Sequence, residues 1–337
     1  MLLETASEYV PLLADRLRTV HISNNDFKNE HHWMSGEGLI DFAVRLQNDS
    51  GKKERELFMQ YANLHLHSTY SDAGFTPEQL VRIGKALGYG ALALTDHETD
   101  GGCKRFMRAC EQEGIRSVTG AEFYARIGKH YIHLTALDFD QNDPGIRAYI
   151  KQHCDEQAAM TRKRFEIAIE KGFIEGITWD DVEYYSGEGA WLCIDSVFNT
   201  LYLKKAMPEQ GESYVRANWK TIDVGALKPQ RPSPEEVINV VRKAGGVVAL
   251  AHPRPEMTEF IDQLVDWGLN GIEVNHPNIP PEAQPIAEEA AKTYNLYRCG
   301  GTDHTGPMSC NGGKAAVPAF HGISEEDFDI LVERRLG

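Results

Sequence analysis

The sequence repeatedly places histidine, aspartate or glutamate at the end of a short apolar run, or within one. Two such segments carry the same tripeptide, Thr-Asp-His, at residues 95–97 and again at 302–304. Imidazole and carboxylate groups bind divalent metal ions, and both also transfer protons in catalysis. The full set of these positions is His65, His67, Asp72, Asp96, His97, Glu122, His133, His252, His276, Asp303 and His304.

His65 and His67 are suited to chelate one ion, because side chains two positions apart on a strand point to the same face. Each motif alone also has an ordinary interpretation. A His-x-His pair often faces solvent, and Asp-His after a strand can be a helix N-cap and its neighbour. A random scatter of 13 histidines would not select strand ends this consistently. Taken together, the positions predict a metal centre.

The elements that must position these side chains alternate between strand and helix from residue 61 onward. Thr76 and Pro77 are typical of a helix start, and Gly114 is typical of a helix end. Alternation of this kind favours parallel strands with helices outside them. The carboxyl ends of such strands meet on one face, where the active sites of barrel enzymes lie.

The pattern divides the chain into three parts. Residues 1–60 are polar and irregular, and we predict an N-terminal extension of unclear role. Residues 61–144 and 231–337 carry the alternation and are predicted to form one barrel domain. Residues 145–230 are mainly helical in pattern, and we expect an inserted subdomain that covers the site.

The charge of the chain restricts its partners. Its 337 residues include 35 basic and 50 acidic side chains, a formal net charge of −15. This argues against a membrane surface or long nucleic acid as a partner, although bound cations would still attract a small anionic substrate. Six scattered cysteines, no N-terminal signal pattern and no apolar run of membrane length predict a cytoplasmic protein.

Six motifs resemble, in their order, those of the PHP (polymerase and histidinol phosphatase) family of metal-dependent phosphoesterases. They are NLHLHSTYSD, LALTDHETDGG, GAEF, YIHLTAL, VVALAHPRP and GGTDHTG. The resemblance covers residues 61 to about 330 and is greatest to the branch of small-molecule and nucleotide phosphoesterases. It implies a distorted (β/α)7 barrel, similar to a TIM barrel, with two or three divalent ions (Mn, Fe or Zn).

The resemblance also implies that two of these ions share one carboxylate. The bridging residue would be Glu122. The first ion would take three further ligands, which are His65, His67 and Asp303. The second ion would be completed by His133 and His252.

Three more roles follow from the resemblance. A remaining ion would lie at Asp72 and His97. Asp96 would lie behind the ligands and orient one of them. Arg254 would bind a phosphate oxygen through its planar guanidinium group.

The last motif departs from the family pattern. The family has Asp-x-His here, and its histidine completes the remaining ion, whereas this chain has Asp303, His304 and Thr305. On an extended backbone His304 points away from Asp303. Either the turn bends and makes His304 a ligand, or this ion is bound more weakly or is absent. His276 or His304, near the mouth of the site, would be suited to protonate the leaving group.

We therefore predict a metal-dependent phosphoesterase that cleaves a small phosphorylated metabolite or nucleotide, as a monoesterase or a cyclic or other diesterase. The ions would bridge and activate a water molecule that attacks phosphorus. The alternatives are 5'-3' exonuclease action on short oligonucleotides, hydrolysis of an amide or lactone at the same site and, least favoured, a non-catalytic binding module. The sequence contains neither a GxSxG elbow nor a GxxxxGK[ST] loop. The oligomeric state stays open.

Overall fold

The computed structural model describes residues 60–303 and 321–334, which form a mixed α/β fold. Nearly all of the predicted extension, and His304, lie outside these residues. The strands are β1 (Ala62–Asn63), β2 (Ala91–Ala93), β3 (Arg116–Val118), β4 (Gly120–Ile127), β5 (His130–Leu137), β6 (Val247–Leu250), β7 (Gly271–Asn275) and β8 (Tyr297–Gly300). The α-helices are α1 (Pro77–Leu87), α2 (Cys103–Glu113), α3 (Pro144–Glu170), α4 (Trp179–Ser186), α5 (Ile194–Leu203), α6 (Gly211–Lys220), α7 (Pro234–Lys243), α8 (Pro255–Thr258), α9 (Ile261–Asp266), α10 (Gln284–Thr293) and α11 (Glu325–Val332).

Local sequence determines the ends of the first two helices. Thr76 has an extended backbone and forms a capping box at the start of α1, since its side chain and that of Gln79 each accept the backbone N–H of the other. Gly114 ends α2 at a φ of 70°, in the left-handed region that favours glycine. Both predicted helix boundaries are confirmed.

The strands form two sheets. The smaller has the order β1-β2-β3 and is parallel, and the larger has the order β4-β5-β6-β7-β8. Strands β6, β7 and β8 are parallel, but β5 is antiparallel to both β4 and β6. The expected parallel arrangement is therefore wrong for β5. Gly128 and Lys129 alone separate β4 from β5, and so short a turn joins only antiparallel neighbours.

Backbone hydrogen bonds connect the two sheets on both sides. Just beyond β1, the N–H of Leu64 donates to the carbonyl oxygen of Gly300 in β8 at 3.0 Å. Beyond β2, the carbonyl oxygen of Asp96 accepts the N–H of Glu122 in β4 at 3.1 Å. The segments that follow β1, β2 and β8 consequently lie close together, near the start of β4. The predicted α/β class is confirmed.

Residues 144–227, which we call the helical insertion, lie between β5 and α7. They contain helices α3 to α6 and a short 3-10 helix at Gly225–Leu227. Their apolar side chains form a core of their own around Phe198 and Trp219. Tyr70, which lies in the loop after β1, is buried in this same core. The insertion is therefore packed onto the loop between β1 and α1.

The longest helix, α3, has 27 residues. Its outer face carries exposed ion pairs at i,i+4 spacing, between Lys151 and Asp155 and between Arg162 and Glu166. Such charges would oppose insertion into a bilayer. Within the described residues, no helix is both long enough and apolar enough to span a membrane.

Candidate metal centre

Glu122 lies at the centre of a cluster of five histidines. It belongs to β4 and is 1% exposed. Its Oε1 lies 2.9 Å from Nδ1 of His133 and 3.1 Å from Nε2 of His252. Its Oε2 lies 3.0 Å, 3.3 Å and 3.4 Å from a ring nitrogen of, respectively, His97, His65 and His67.

Asp303 completes the group of ligands predicted for the first ion. Its Oδ1 lies 3.1 Å from Nε2 of His67 and 3.8 Å from Nε2 of His65. The two Nε2 atoms are 3.1 Å apart. Asp303 has a φ of 50°, a left-handed conformation in which aspartate is enriched among non-glycine residues. The structure thus brings His65, His67, Glu122 and Asp303 around one point.

Asp72 and His97 are adjacent, as the remaining predicted site requires. Oδ2 of Asp72 lies 3.6 Å from Nε2 of His97, and Oδ1 lies 3.5 Å from Nδ1 of His67. Asp72 belongs to the loop after β1, and His97 follows β2. The possible third ligand, His304, lies outside the described residues.

The donor atoms of this cluster fit a cation better than they fit one another. Nδ1 of His97 and Oε2 of Glu122 are 3.0 Å apart, yet neither buried atom has a hydrogen-bond partner among the described residues. Buried polar atoms in proteins are nearly always paired. Ligand atoms held at about 2.1 Å from an ion are about 3.0 Å apart in an octahedron and about 3.4 Å apart in a tetrahedron. The distances around Oε2 of Glu122 lie in this range.

Electrostatics favour a cation as well. Burial lowers the pKa of His65, but the carboxylates of Glu122 and Glu273 outweigh burial and raise this pKa well above its usual range. For His67, burial likewise lowers the pKa and Asp72 is the main group that raises it, again well above the usual range. Without an ion, the buried carboxylates draw protons onto the imidazoles. A divalent ion would supply this positive charge instead.

Comparison with known proteins identifies the family. The PHP domain family matches residues 63–218, a range that contains the predicted ligands from His65 to His133. Residues 63–218 of this chain therefore carry a PHP domain. The six motifs predicted a resemblance to this family and a metal-dependent phosphoesterase, and both predictions are confirmed.

Relatives of this PHP protein match it over most of their length. The 5'-3' exoribonuclease of Haemophilus influenzae is 28% identical over 257 residues, which cover 72% of this chain and 88% of the relative. The 3',5'-nucleoside bisphosphate phosphatase of Chromobacterium violaceum is 27% identical over 263 residues, which cover 74% and 88%. A crystal structure of a candidate metal-dependent phosphoesterase from Bifidobacterium adolescentis superposes with a TM-score of 0.68 at 25% identity. It covers 82% of this chain and 96% of the other.

Asp96 in this PHP chain contacts the loop that carries Asp72. Its carboxylate accepts the N–H of Ser68 at 2.7 Å, the hydroxyl of Ser68 at 2.6 Å and the hydroxyl of Ser71 at 2.5 Å. These bonds hold the first half of the loop. The predicted orienting role of Asp96 would therefore act through the loop backbone.

Glu273 is a residue of the site that the sequence analysis missed. Its Oε1 accepts Nδ1–H of His65 at 2.7 Å, and its Oε2 accepts the backbone N–H of His252 at 2.6 Å. A carboxylate in this position fixes the tautomer of the imidazole and leaves Nε2 of His65 for an ion. The signal was an acidic residue within the apolar strand GIEVN, since a glutamate is rarely fully buried without a partner.

We expect Glu273→Ala to weaken metal binding by about 10- to 100-fold, because His65 would lose the group that orients its ring. Competition with a chromogenic chelator measures the affinity. Glu288→Ala is the control, since Glu288 pairs with Arg298 away from the cluster at partly exposed positions. Equal metal affinities in the two variants would contradict the assigned role of Glu273.

Arg254 and His276, predicted to act on the substrate, differ in exposure. Arg254 is exposed at the start of α8, two residues after His252. The His276 side chain is fully buried, and its Nε2 lies 3.9 Å from Oδ2 of Asp303. Burial lowers the pKa of His276 to about 3. The expected position of His276 near the mouth is therefore wrong, because its ring packs among the ligands; its role in proton transfer stays a prediction.

Proposed function

We propose that this PHP protein hydrolyses a phosphate ester of a small phosphorylated metabolite or nucleotide. We base the proposal on the position of Glu122. Its Oε1 faces two imidazole rings and its Oε2 faces three. One carboxylate in this position can hold two cations close together. When bound, the ions would polarise the phosphoryl oxygens and lower the pKa of the attacking water.

We assign the ligands as the family resemblance implies. One ion would be held by His65, His67, Glu122 and Asp303. A second ion would be held by Glu122, His133 and His252, and a remaining ion by Asp72 and His97. Imidazole ligands suit Zn or Fe and carboxylates extend the choice to Mn, so we propose two or three ions of these metals.

We also propose that the two sheets together form the distorted (β/α)7 barrel. The bonds from Leu64 to Gly300 and from Glu122 to Asp96 support this, since they connect the sheets on both sides. The helical insertion would cover the carboxyl end of this barrel. We propose a cytoplasmic location, in keeping with the six scattered cysteines.

Arg254 is our proposed phosphate-binding residue. Its side chain is exposed, and it lies two residues after His252. His252 in turn contacts Glu122. A guanidinium group presents paired N–H donors that match two phosphoryl oxygens. His304 is the proposed proton donor to the leaving group.

A second candidate function is stepwise 5'-3' hydrolysis of short oligonucleotides. Similarity to the exoribonuclease of Haemophilus influenzae favours it. The net charge of −15 argues against long nucleic acid as the substrate, because nothing in that balance attracts an extended polyanion. Amide or lactone hydrolysis at the same centre is a third candidate, and the panel below includes such substrates.

Chelator-treated protein resupplied with Mn²⁺ tests these functions. The panel contains phosphorylated metabolites, nucleotides, 5'-phosphorylated oligonucleotides, amides and lactones, and we expect phosphate release from the metabolites and nucleotides only after Mn²⁺ is added. Arg254→Ala should raise the KM for the phosphate substrate by about 10- to 100-fold, because the substrate would lose a charge-assisted hydrogen bond. Arg108→Ala, at an exposed position of α2, is the control and should leave KM unchanged.

Three outcomes separate the candidates. Release of mononucleotides from 5'-phosphorylated oligonucleotides, with no activity on free metabolites, would favour the second function. Cleavage of amides or lactones alone, with no effect of Arg254→Ala, would favour the third. A metal-loaded protein that acts on no substrate of the panel would contradict the proposed function.

A further inference from the structure

The helical insertion binds the loop that carries Asp72 from one side. We call residues 68–74 the metal loop. The backbone N–H of Trp191 donates to the carbonyl oxygen of Tyr70 at 2.8 Å, and the side-chain amide of Asn199 donates to the carbonyl oxygen of Ala73 at 2.8 Å. The two bonds lie on either side of Asp72 in the sequence. The insertion therefore determines where the loop backbone runs next to this ligand.

Apolar packing supports the same connection. The side chain of Tyr70 is 5% exposed and lies in the apolar core of the insertion, whose other members all belong to residues 158–224. Gly187 lies so close to the Tyr70 ring that a Cβ atom there would be 2.9 Å from it. Sγ of Cys193 lies 3.5 Å from the carbonyl oxygen of Ser71. The metal loop is thus anchored in the insertion by both backbone and side chain.

The insertion also contacts the segment that carries His97. The ring of Trp191 packs against the His97 ring, with 5.6 Å between their centroids. Two residues further on, the Thr99 hydroxyl donates to the carbonyl oxygen of Gly189 at 2.6 Å. The insertion therefore contacts the residues next to both predicted ligands of the remaining ion, Asp72 and His97.

The other ligands depend on the sheets. Glu122 and His133 lie on β4 and β5, which are paired along eight residues each. Glu273 on β7 binds His65 and the backbone of His252. Strand pairing and a buried carboxylate thus position these groups directly.

We propose that the helical insertion positions the cation site of Asp72 and His97, and that Asn199 is a positioning residue for it. The inference rests on the proposed function and deepens it, because it assigns one ion to the insertion and the others to the sheets. Asn199 is 8% exposed, and its side-chain amide donates to the carbonyl oxygen of Ala73, in the second half of the metal loop. Asp96 already holds the first half through Ser68 and Ser71. Loss of the amide removes the bond from the insertion to Ala73, just after Asp72, and leaves the bonds of Asp96 before it in place.

Metal titration of purified variants tests this inference. We expect Asn199→Ala to weaken one class of Mn²⁺ sites by about 10- to 100-fold and to leave the other classes unchanged. Asp72→Asn identifies the affected class. Asn218→Ala is the matched control, since the Asn218 amide donates to the Tyr214 carbonyl oxygen at 2.9 Å within the insertion. Electron paramagnetic resonance of free Mn²⁺ and metal analysis after dialysis provide the readouts.

A second variant distinguishes a local effect on the cation site from unfolding of the protein. Thr99→Val removes the bond to Gly189 beside His97, together with the bond that the hydroxyl accepts from the N–H of Gly101, with little change of side-chain volume. It should weaken the same class of sites. Thermal unfolding of the metal-free proteins shows whether each variant is folded. Should Asn199→Ala fail to fold, Thr99→Val decides the inference.

The outcomes are distinct. Identical Mn²⁺ isotherms for wild type, Asn199→Ala and Thr99→Val overturn the inference and leave the proposed function intact. An equal loss in Asn218→Ala also overturns it, because the effect would then be a general loosening of the insertion. A wild-type protein that binds no Mn²⁺ overturns the proposed function itself.

Discussion

Glu122→Gln is expected to remove at least two bound ions and to lower kcat for phosphate ester hydrolysis by at least about 1,000-fold. The substitution keeps the size of the side chain. It replaces one carboxylate oxygen by an NH₂ group, which has only donors to offer and therefore faces the ring nitrogens and cations unfavourably. It also removes the buried negative charge shared by the rings of five histidines, which are His65, His67, His97, His133 and His252.

Metal analysis and steady-state kinetics measure this effect together. Glu78→Gln is the matched control, because Glu78 forms a partly exposed ion pair with Arg105 and such pairs contribute about 1 kcal/mol or less. It should keep the metal content and kcat of the wild type. A Glu122→Gln protein with two or more ions and a near-normal rate would rule out Glu122 as the bridging ligand.

Gly301→Ala is expected to destabilise the fold by about 3 kcal/mol, the usual upper cost of overfilling a packed interior. A Cβ atom at Gly301 would lie 2.4 Å from the backbone nitrogen of His65 and 2.7 Å from Oδ1 of Asn63. The backbone has little room to yield, because Oδ1 of Asn63 also accepts the N–H of Thr302. The new methyl group would push the end of β8 away from β1. Asp303, two residues further on, would lose its place beside His65, so metal affinity should fall too.

Denaturant unfolding of the metal-free protein measures the stability of this variant. Gly145→Ala is the control, since Gly145 is in the first turn of α3 and a Cβ atom there would meet, among the described residues, only the Asp143 carboxylate, at 3.0 Å. Alanine favours a helix, so its unfolding free energy should change by about 1 kcal/mol or less. A Gly301→Ala protein that unfolds at the same denaturant concentration as the wild type would exclude the close contact between the two strands.

Most of the predicted ligands could be selected from the sequence because they recur in a simple position. His65, His67, His97 and Asp303 all follow short apolar runs, and the ends of neighbouring strands meet in space. Strand ends can therefore be predicted to lie together even when the order of the strands in the sheet is unknown. Helix ends were predictable for a similar reason, since Thr76 and Gly114 act on the backbone within one turn.

His133 shows where reasoning from strand ends fails. It lies in the first half of β5, which runs antiparallel to its neighbours, and yet Nδ1 of His133 is 2.9 Å from Glu122. Reversal of the strand brings its first half to the face where the parallel strands end. The family resemblance named His133 as a predicted ligand, whereas a pattern of strand ends does not account for a residue within its strand.

By itself, the sequence determined the α/β class, the family and the set of donor groups, because each depends on short segments with a recognisable pattern. Only the tertiary structure decided which donor atoms lie side by side, that Glu273 hydrogen-bonds His65, and that Asn199 and Trp191 hydrogen-bond the metal loop. The contact of Glu273 with His65 and those of Asn199 and Trp191 with the metal loop join residues more than a hundred positions apart. Their geometry depends on how two sheets and the helical insertion pack, which no local pattern encodes.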